Sequence, residues 1–122
     1  MNKESLLKLA KEAYENAYAP YSGFRVGAAV ACADGSVFTG CNVENSAGTS
    51  VCAERVAIFK AISEGAKDFA GLAIACDIEK DDLVPCGFCL QTLSEFCDDI
   101  EIYTPTKTYT LNKLLPERFK LK

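Results

Sequence analysis

Neither histidine nor tryptophan occurs among the 122 residues, and there is a single methionine. Without histidine, a mixed-ligand metal site has to be completed by a carboxylate or by another cysteine. Long hydrophobic runs are missing too. Charges interrupt every apolar stretch of the opening MNKESLLKLAKEAYENAY, so neither a cleavable leader nor a membrane span is expected, and the expected compartment is the cytoplasm. Positive charge is in deficit, with 13 Lys and Arg against 17 Asp and Glu and a formal charge of -4. That balance argues against a nucleic-acid partner and for a small-molecule substrate. There is no internal repeat or low-complexity tract, and 122 residues leave little room for a second core, so one domain over 1–122 is expected.

What the chain does contain is a balance of 49% hydrophobic and 25% charged residues, which suits a folded protein and excludes the charge-rich signature of disorder. It also contains seven cysteines, at positions 32, 41, 52, 76, 86, 89 and 97. An odd number cannot all pair within one molecule. In a reducing compartment the excess points to metal ligands, with the remainder acting as small buried hydrophobes.

Leu6, Leu7, Ala10, Ala13, Tyr14 and Ala17 recur at helical spacing and predict an amphipathic helix over 3–17, ended by Pro20. Residues 24–32 and 37–41 read as a hairpin around the turn signal at 33–36. The polar stretch 42–50 reads as a loop whose Thr49 or Ser50 is a candidate cap for a helix over 51–64, with Val56, Ile58, Phe59 and Ile62 as its apolar surface and Gly65 as its stop. Residues 70–76 are continuously apolar and read as a buried central strand. Pro85 precedes a third helix over 86–96, residues 100–103 and 107–110 are short strands, and 111–115 is a small terminal helix. This order predicts an α/β fold of three layers, α/β/α, around a mixed five-stranded sheet.

Three of the cysteines stand apart by position. Cys86 and Cys89 are three residues apart at a helix start, and Cys52 holds the equivalent place on the preceding helix. Two helix amino termini brought together would present three sulfurs to one zinc ion. Three thiolates with no evident fourth ligand suggest a position left open for water, and they carry more negative charge than the ion carries positive. The helix amino termini and Arg55 are the expected charge-balancing sources. Glu54, two residues after Cys52, is placed to take a proton from water and deliver it first to a ring nitrogen and then to a departing amine. Three ligand cysteines and one acid match a zinc deaminase signature in which cysteine replaces histidine.

At this point six blocks carry a specific resemblance: Tyr18-Ala19-Pro20-Tyr21-Ser22, Phe24-Arg25-Val26-Gly27-Ala28-Ala29, Cys41-Asn42-Val43-Glu44-Asn45, Cys52-Ala53-Glu54-Arg55, Pro85-Cys86-Gly87-Phe88-Cys89 and Leu114-Leu115-Pro116. In order and spacing the chain resembles the small homotetrameric zinc-dependent cytidine deaminases over almost its full length. The resemblance implies one zinc per subunit held by Cys52, Cys86 and Cys89, with Glu54 as the proton shuttle. It implies that Asn42 and Glu44 bind the sugar hydroxyls, that Phe24 packs against the nucleoside, and that backbone atoms of Ala53 and the Cys86 region recognise the pyrimidine. An amide and a carboxylate two residues apart do offer a donor and an acceptor to a diol. The resemblance further implies a homotetramer whose active sites are completed by neighbouring subunits, with Phe119 the candidate aromatic that reaches across; the other reading of Phe119 is an anchor for its own tail.

The expected reaction is deamination of cytidine and 2'-deoxycytidine to uridine and 2'-deoxyuridine with release of ammonia. Three features depart from the family pattern: a loop before Cys52 that is one residue short and lacks an aromatic, Leu90 in place of an arginine, and Phe88 in place of a small residue. They leave room for a modified cytosine nucleoside or a blasticidin-S-like antibiotic as substrate. A non-catalytic zinc-stapled module, closed by a fourth ligand such as Cys41 or Cys97, and an editor of polynucleotides are the rival readings.

Overall fold

The computed structural model describes residues 1–78 and 83–121. The elements in order are α1 (Lys3–Ala13), β1 (Val26–Cys32), β2 (Val37–Cys41), α2 (Ala53–Ser63), β3 (Phe69–Cys76), α3 (Gly87–Phe96), β4 (Glu101–Tyr103), β5 (Thr108–Thr110) and α4 (Leu111–Leu114). The first helix is shorter than its periodicity suggested: a 3-10 turn takes over at Tyr14–Asn16, and Ala17 is already extended. The sheet is five-stranded in the order β2-β1-β3-β4-β5, with β3 and β4 parallel and the other pairs antiparallel. The mixed α/β sheet read from the sequence is therefore what forms.

Alternation along the two central strands decides which helix covers which face. Ala29, Ala31, Ala73 and Ala75 point to one side, where Leu6 and Ala10 of α1 pack on them. Ala28, Val30, Leu72 and Ile74 point to the other, into the larger core with Ala57 and Ile58 of α2 and Leu93 of α3. The result is three layers.

Two glycines set how closely the helices approach. A Cβ on Gly27 would lie 1.9 Å from the carbonyl oxygen of Ala10, so α1 rests directly on the β1 backbone. A Cβ on Gly40 would lie 2.5 Å from Ala57 N and 2.6 Å from Ala53 O, so α2 rests on β2 in the same manner. This closeness corrects the apolar surface expected for the second helix. Ile58 is buried and Ile62 packs against the core as expected, but Ala53 and Ala57, small enough to lie against Gly40, and Ala61 complete the buried face, while Val56 is half-buried and Phe59 is turned outward. Neither Thr49 nor Ser50 caps that helix: Cys52 occupies the cap position, and Ser50 Oγ instead accepts from Asn45 N at 3.1 Å.

Candidate active site

The expected ligand cysteines do meet. Cys52 is the N-cap of α2 and Cys86 the N-cap of α3, both with extended backbone, and Cys89 lies in the first turn of α3. Cys52 and Cys86 thus stand just before their helices rather than inside the first turn. Neither makes a side-chain capping bond. The first backbone N–H groups of both helices have no intrahelical carbonyl to satisfy them, and the helix dipoles favour negative charge at these two ends.

The Sγ atoms of Cys52 and Cys86 are 3.6 Å apart, and those of Cys86 and Cys89 are 3.4 Å apart. Zinc bound tetrahedrally at about 2.3 Å from each sulfur spaces its ligands by about 3.8 Å, so the trio fits that ion. Among the described residues no histidine, cysteine or acid joins the three as a fourth member. The Cys97 thiol is directed to the carbonyl of Leu93 instead. A closed, purely structural four-ligand site therefore has no support from the described residues.

The electrostatics of the trio call for a cation. The hydrogen bond from Cys89, then Arg55 and Cys86, bring the Cys52 thiol down to about 5, against the opposing effect of burial. The same partnership raises Cys89, since its hydrogen bond to Cys52 and its burial both favour the protonated form. Ionising the second sulfur beside the first is unfavourable until a metal ion is there to receive both. Arg55 Nη2 donates to Cys52 Sγ at 3.4 Å, and its guanidinium sits 5.5 Å from the centre of the Phe88 ring. Arg55 Nε is buried with no hydrogen-bond partner among the described residues. Leu90, found where the family pattern has a cation, is buried in the core with α2.

Glu54 follows Cys52 by two residues and is 3% exposed. Burial, reinforced by the adjacent Cys52 charge, pushes its carboxyl up to about 7. That value lies where a carboxyl group both accepts and returns a proton at neutral pH. Glu54, Cys52, Ala53 and Cys86 form one end of a cavity of about 340 Å³.

The other end is built from Ser22, Phe24, Asn42 and Glu44, with Leu83 and Val84 alongside. Asn42 Oδ1 accepts from Val26 N at 2.9 Å, and its Nδ2 donates to Phe24 O at 2.8 Å. Glu44 Oε1 accepts from Tyr21 N and Ser22 N, and Oε2 from Ser22 Oγ at 2.5 Å. These bonds, led by the Ser22 hydroxyl, hold the Glu44 carboxyl below its ordinary range. Sequence reasoning passed over Ser22, Leu83 and Val84 as site residues. Only the position of Ser22 inside the Tyr-Ser block hinted at a role.

Phe119 is not part of this cavity. Its carbonyl accepts from Gln91 Nε2 at 2.8 Å, and the residue, 66% exposed, lines a groove along α3 with Phe59, Thr92 and Leu121. The tail is anchored to its own domain through its backbone, while the aromatic side chain faces outward.

With the geometry in place, three kinds of likeness agree. Residues 1–104 match the family model described as the cytidine and deoxycytidylate deaminase zinc-binding region. A cytidine deaminase of Sporosarcina psychrophila is 44% identical, the alignment covering 98% of this chain and 92% of that one. A probable cytidine deaminase of Dictyostelium discoideum is 42% identical over 98% of this chain and 86% of the relative. Among solved structures, cytidine deaminase from Burkholderia pseudomallei superposes with a TM-score of 0.88 at 38% identity, covering 98% of this chain and 100% of that one. Cytidine deaminase from Mycobacterium tuberculosis gives a TM-score of 0.88 at 37% identity and 99% coverage of both. A sulfur trio that suits zinc, a buried acid at its side and this breadth of likeness have one reading: the chain belongs to the cytidine and deoxycytidylate deaminase zinc-binding family.

Proposed function

We propose that the protein hydrolytically deaminates cytidine and 2'-deoxycytidine to the corresponding uridine nucleosides, releasing ammonia, with one zinc ion held by Cys52, Cys86 and Cys89. The relatives named above carry the name cytidine deaminase. The observation that carries the reading is a trio of sulfurs with no fourth protein ligand among the described residues, two of which, those of Cys52 and Cys86, belong to residues that line one cavity together with the buried carboxyl group of Glu54.

When bound, zinc supplies Lewis acidity that makes water nucleophilic at neutral pH. Everything else falls to the chain. Glu54 takes a proton from the attacking water as the new C–O bond forms at C4 of the pyrimidine, passes it to N3, and later carries a proton to the departing amino group. The two helix amino termini and Arg55 offset the thiolate charge, which otherwise would blunt the ion. Ala53, Cys86 and Phe24 all line the cavity, which supports the reading that backbone atoms of Ala53 and Cys86 recognise the base and that Phe24 packs against the nucleoside.

Asn42 and Glu44 are already committed to backbone bonds, yet neither is exhausted. An amide nitrogen has two hydrogens and a carboxylate about four acceptor sites. One donor and one acceptor therefore remain for a sugar hydroxyl after the bonds above are counted. This favours a nucleoside over a free base or an antibiotic that lacks the diol.

The same reading includes a homotetramer in the cytoplasm. Phe59, Phe88, Phe119 and Leu121 leave an exposed apolar face of the kind that associates. In a second copy the outward Phe119 is available to complete a neighbour's cavity. Free thiols at all seven cysteines suit a reducing compartment, and no helix among the described residues is long and apolar enough to cross a membrane. The test is Glu54→Gln: zinc content stays at one per chain while turnover of cytidine collapses. Near wild-type turnover in that variant would end the proposal. Light scattering on the purified protein reads the assembly state.

A further inference from the structure

The sheet carries a clasp on the face opposite the cavity. Val26 pairs with Cys76 at the last rung between β1 and β3, and the chain adds one further rung beyond it. Asp77 N donates to Arg25 O at 3.1 Å, and Arg25 N donates to Asp77 Oδ1 at 3.2 Å. Arg25 Nε then donates to Asp77 Oδ2 at 2.9 Å. Because side chains alternate along a strand, Phe24 and Val26 face the cavity while Arg25 faces the α1 side. There Gly27 has let α1 settle onto β1, which brings the Tyr14 ring to 5.8 Å and Glu15 Oε2 to 3.5 Å from the guanidinium. The clasp thus joins the end of β1 next to Phe24 and Val26 to the end of β3, the strand whose Ile74 lines the same cavity. Neither Arg25 nor Asp77 touches the sulfur trio or Glu54.

We propose that Arg25 and Asp77 are positioning residues for nucleoside binding, holding the two walls of the cavity at the separation the substrate needs. The inference rests on the nucleoside reading above. Loss of the clasp weakens substrate and product binding while the proton-transfer end continues to work. In zinc-loaded protein, Arg25→Ala and Asp77→Ala each raise KM for cytidine, and the inhibition constant of the product uridine, by about three- to tenfold, the net size of an ordinary hydrogen bond. The change in kcat stays on the order of twofold or less. The double variant costs less than the product of the two single effects, because both singles remove the bond from Arg25 Nε to Asp77. Arg25→Lys recovers part of the affinity, and Asp77→Asn, which keeps the acceptor for Arg25 N, falls between wild type and Asp77→Ala.

Unchanged KM and uridine inhibition overturn the proposal, as do additive effects in the double variant, or a fall in kcat that tracks the loss of affinity. A wild-type protein that leaves cytidine intact overturns instead the substrate reading on which the clasp depends.

Discussion

The helix beginnings of this protein come in two kinds. At α1 the side chain of Asn2 accepts from Ser5 N at 2.8 Å, and at α4 Thr110 Oγ1 accepts from Lys113 N at 3.2 Å. Those ends satisfy their unpaired N–H groups with their own side chains, as helices ordinarily do. At α2 and α3 the cap is cysteine, and no side chain closes the turn. The N–H groups there are kept for an external negative charge. A helix start that forgoes its own cap trades local stability for a place to hold anionic sulfur and, through it, a metal.

Variants at the two kinds of end should separate cleanly. The largest effect is expected at Cys89, whose loss removes one of three ligands: Cys89→Ala should bind zinc too weakly to survive dialysis against a chelator and should show no measurable cytidine turnover. Metal analysis beside an ammonia assay checks it, and a zinc-replete, active variant would erase the distinction. Next comes Glu54→Gln, where kcat should fall by on the order of 10² to 10⁴ without loss of zinc, as removal of a general acid–base group does. Arg55→Gln should be milder. Its outer contact with Cys52 makes zinc release to a chelator faster by about 10-fold or more, in the range of such supporting contacts. The smallest effect belongs to the conventional end, where Asn2→Ala should cost about 1 kcal/mol of stability, read by denaturant unfolding, and leave kcat and KM unchanged. If Asn2→Ala altered turnover, or Arg55→Gln altered only stability, the two kinds of helix start would not be functionally distinct.

The metal end was legible in the chain because its parts are local. Cys86 and Cys89 share one helix start and Cys52 and Glu54 another, and short spacing in the chain conveys that. The end of the cavity at Asn42 and Glu44 was legible chiefly through resemblance. Asn42, Ser22 and Phe24 meet because Asn42 N bonds to Val26 O, one step past the paired residues Gly27 and Cys41, and register of that kind is decided by tertiary packing. Phe59 misled the reading of α2 for a related reason. Periodicity weighs how apolar a residue is, whereas the close approach at Gly40 selects for how small it is, and alanine wins the buried face. At Phe119 the carbonyl bond to Gln91 agrees with the reading of an anchor for its own tail, a contact too distant in sequence for periodicity to reveal, and the residue is otherwise exposed.

Gly40 has a last implication. The span from Cys52 to Asn42 is gauged by a hydrogen atom, for α2 sits as near β2 as the missing methyl permits. Adding that one carbon would lift the helix carrying Cys52 and Glu54 away from the strand that leads into Asn42. The enzyme's ruler is thus calibrated at a residue that meets neither ion nor substrate.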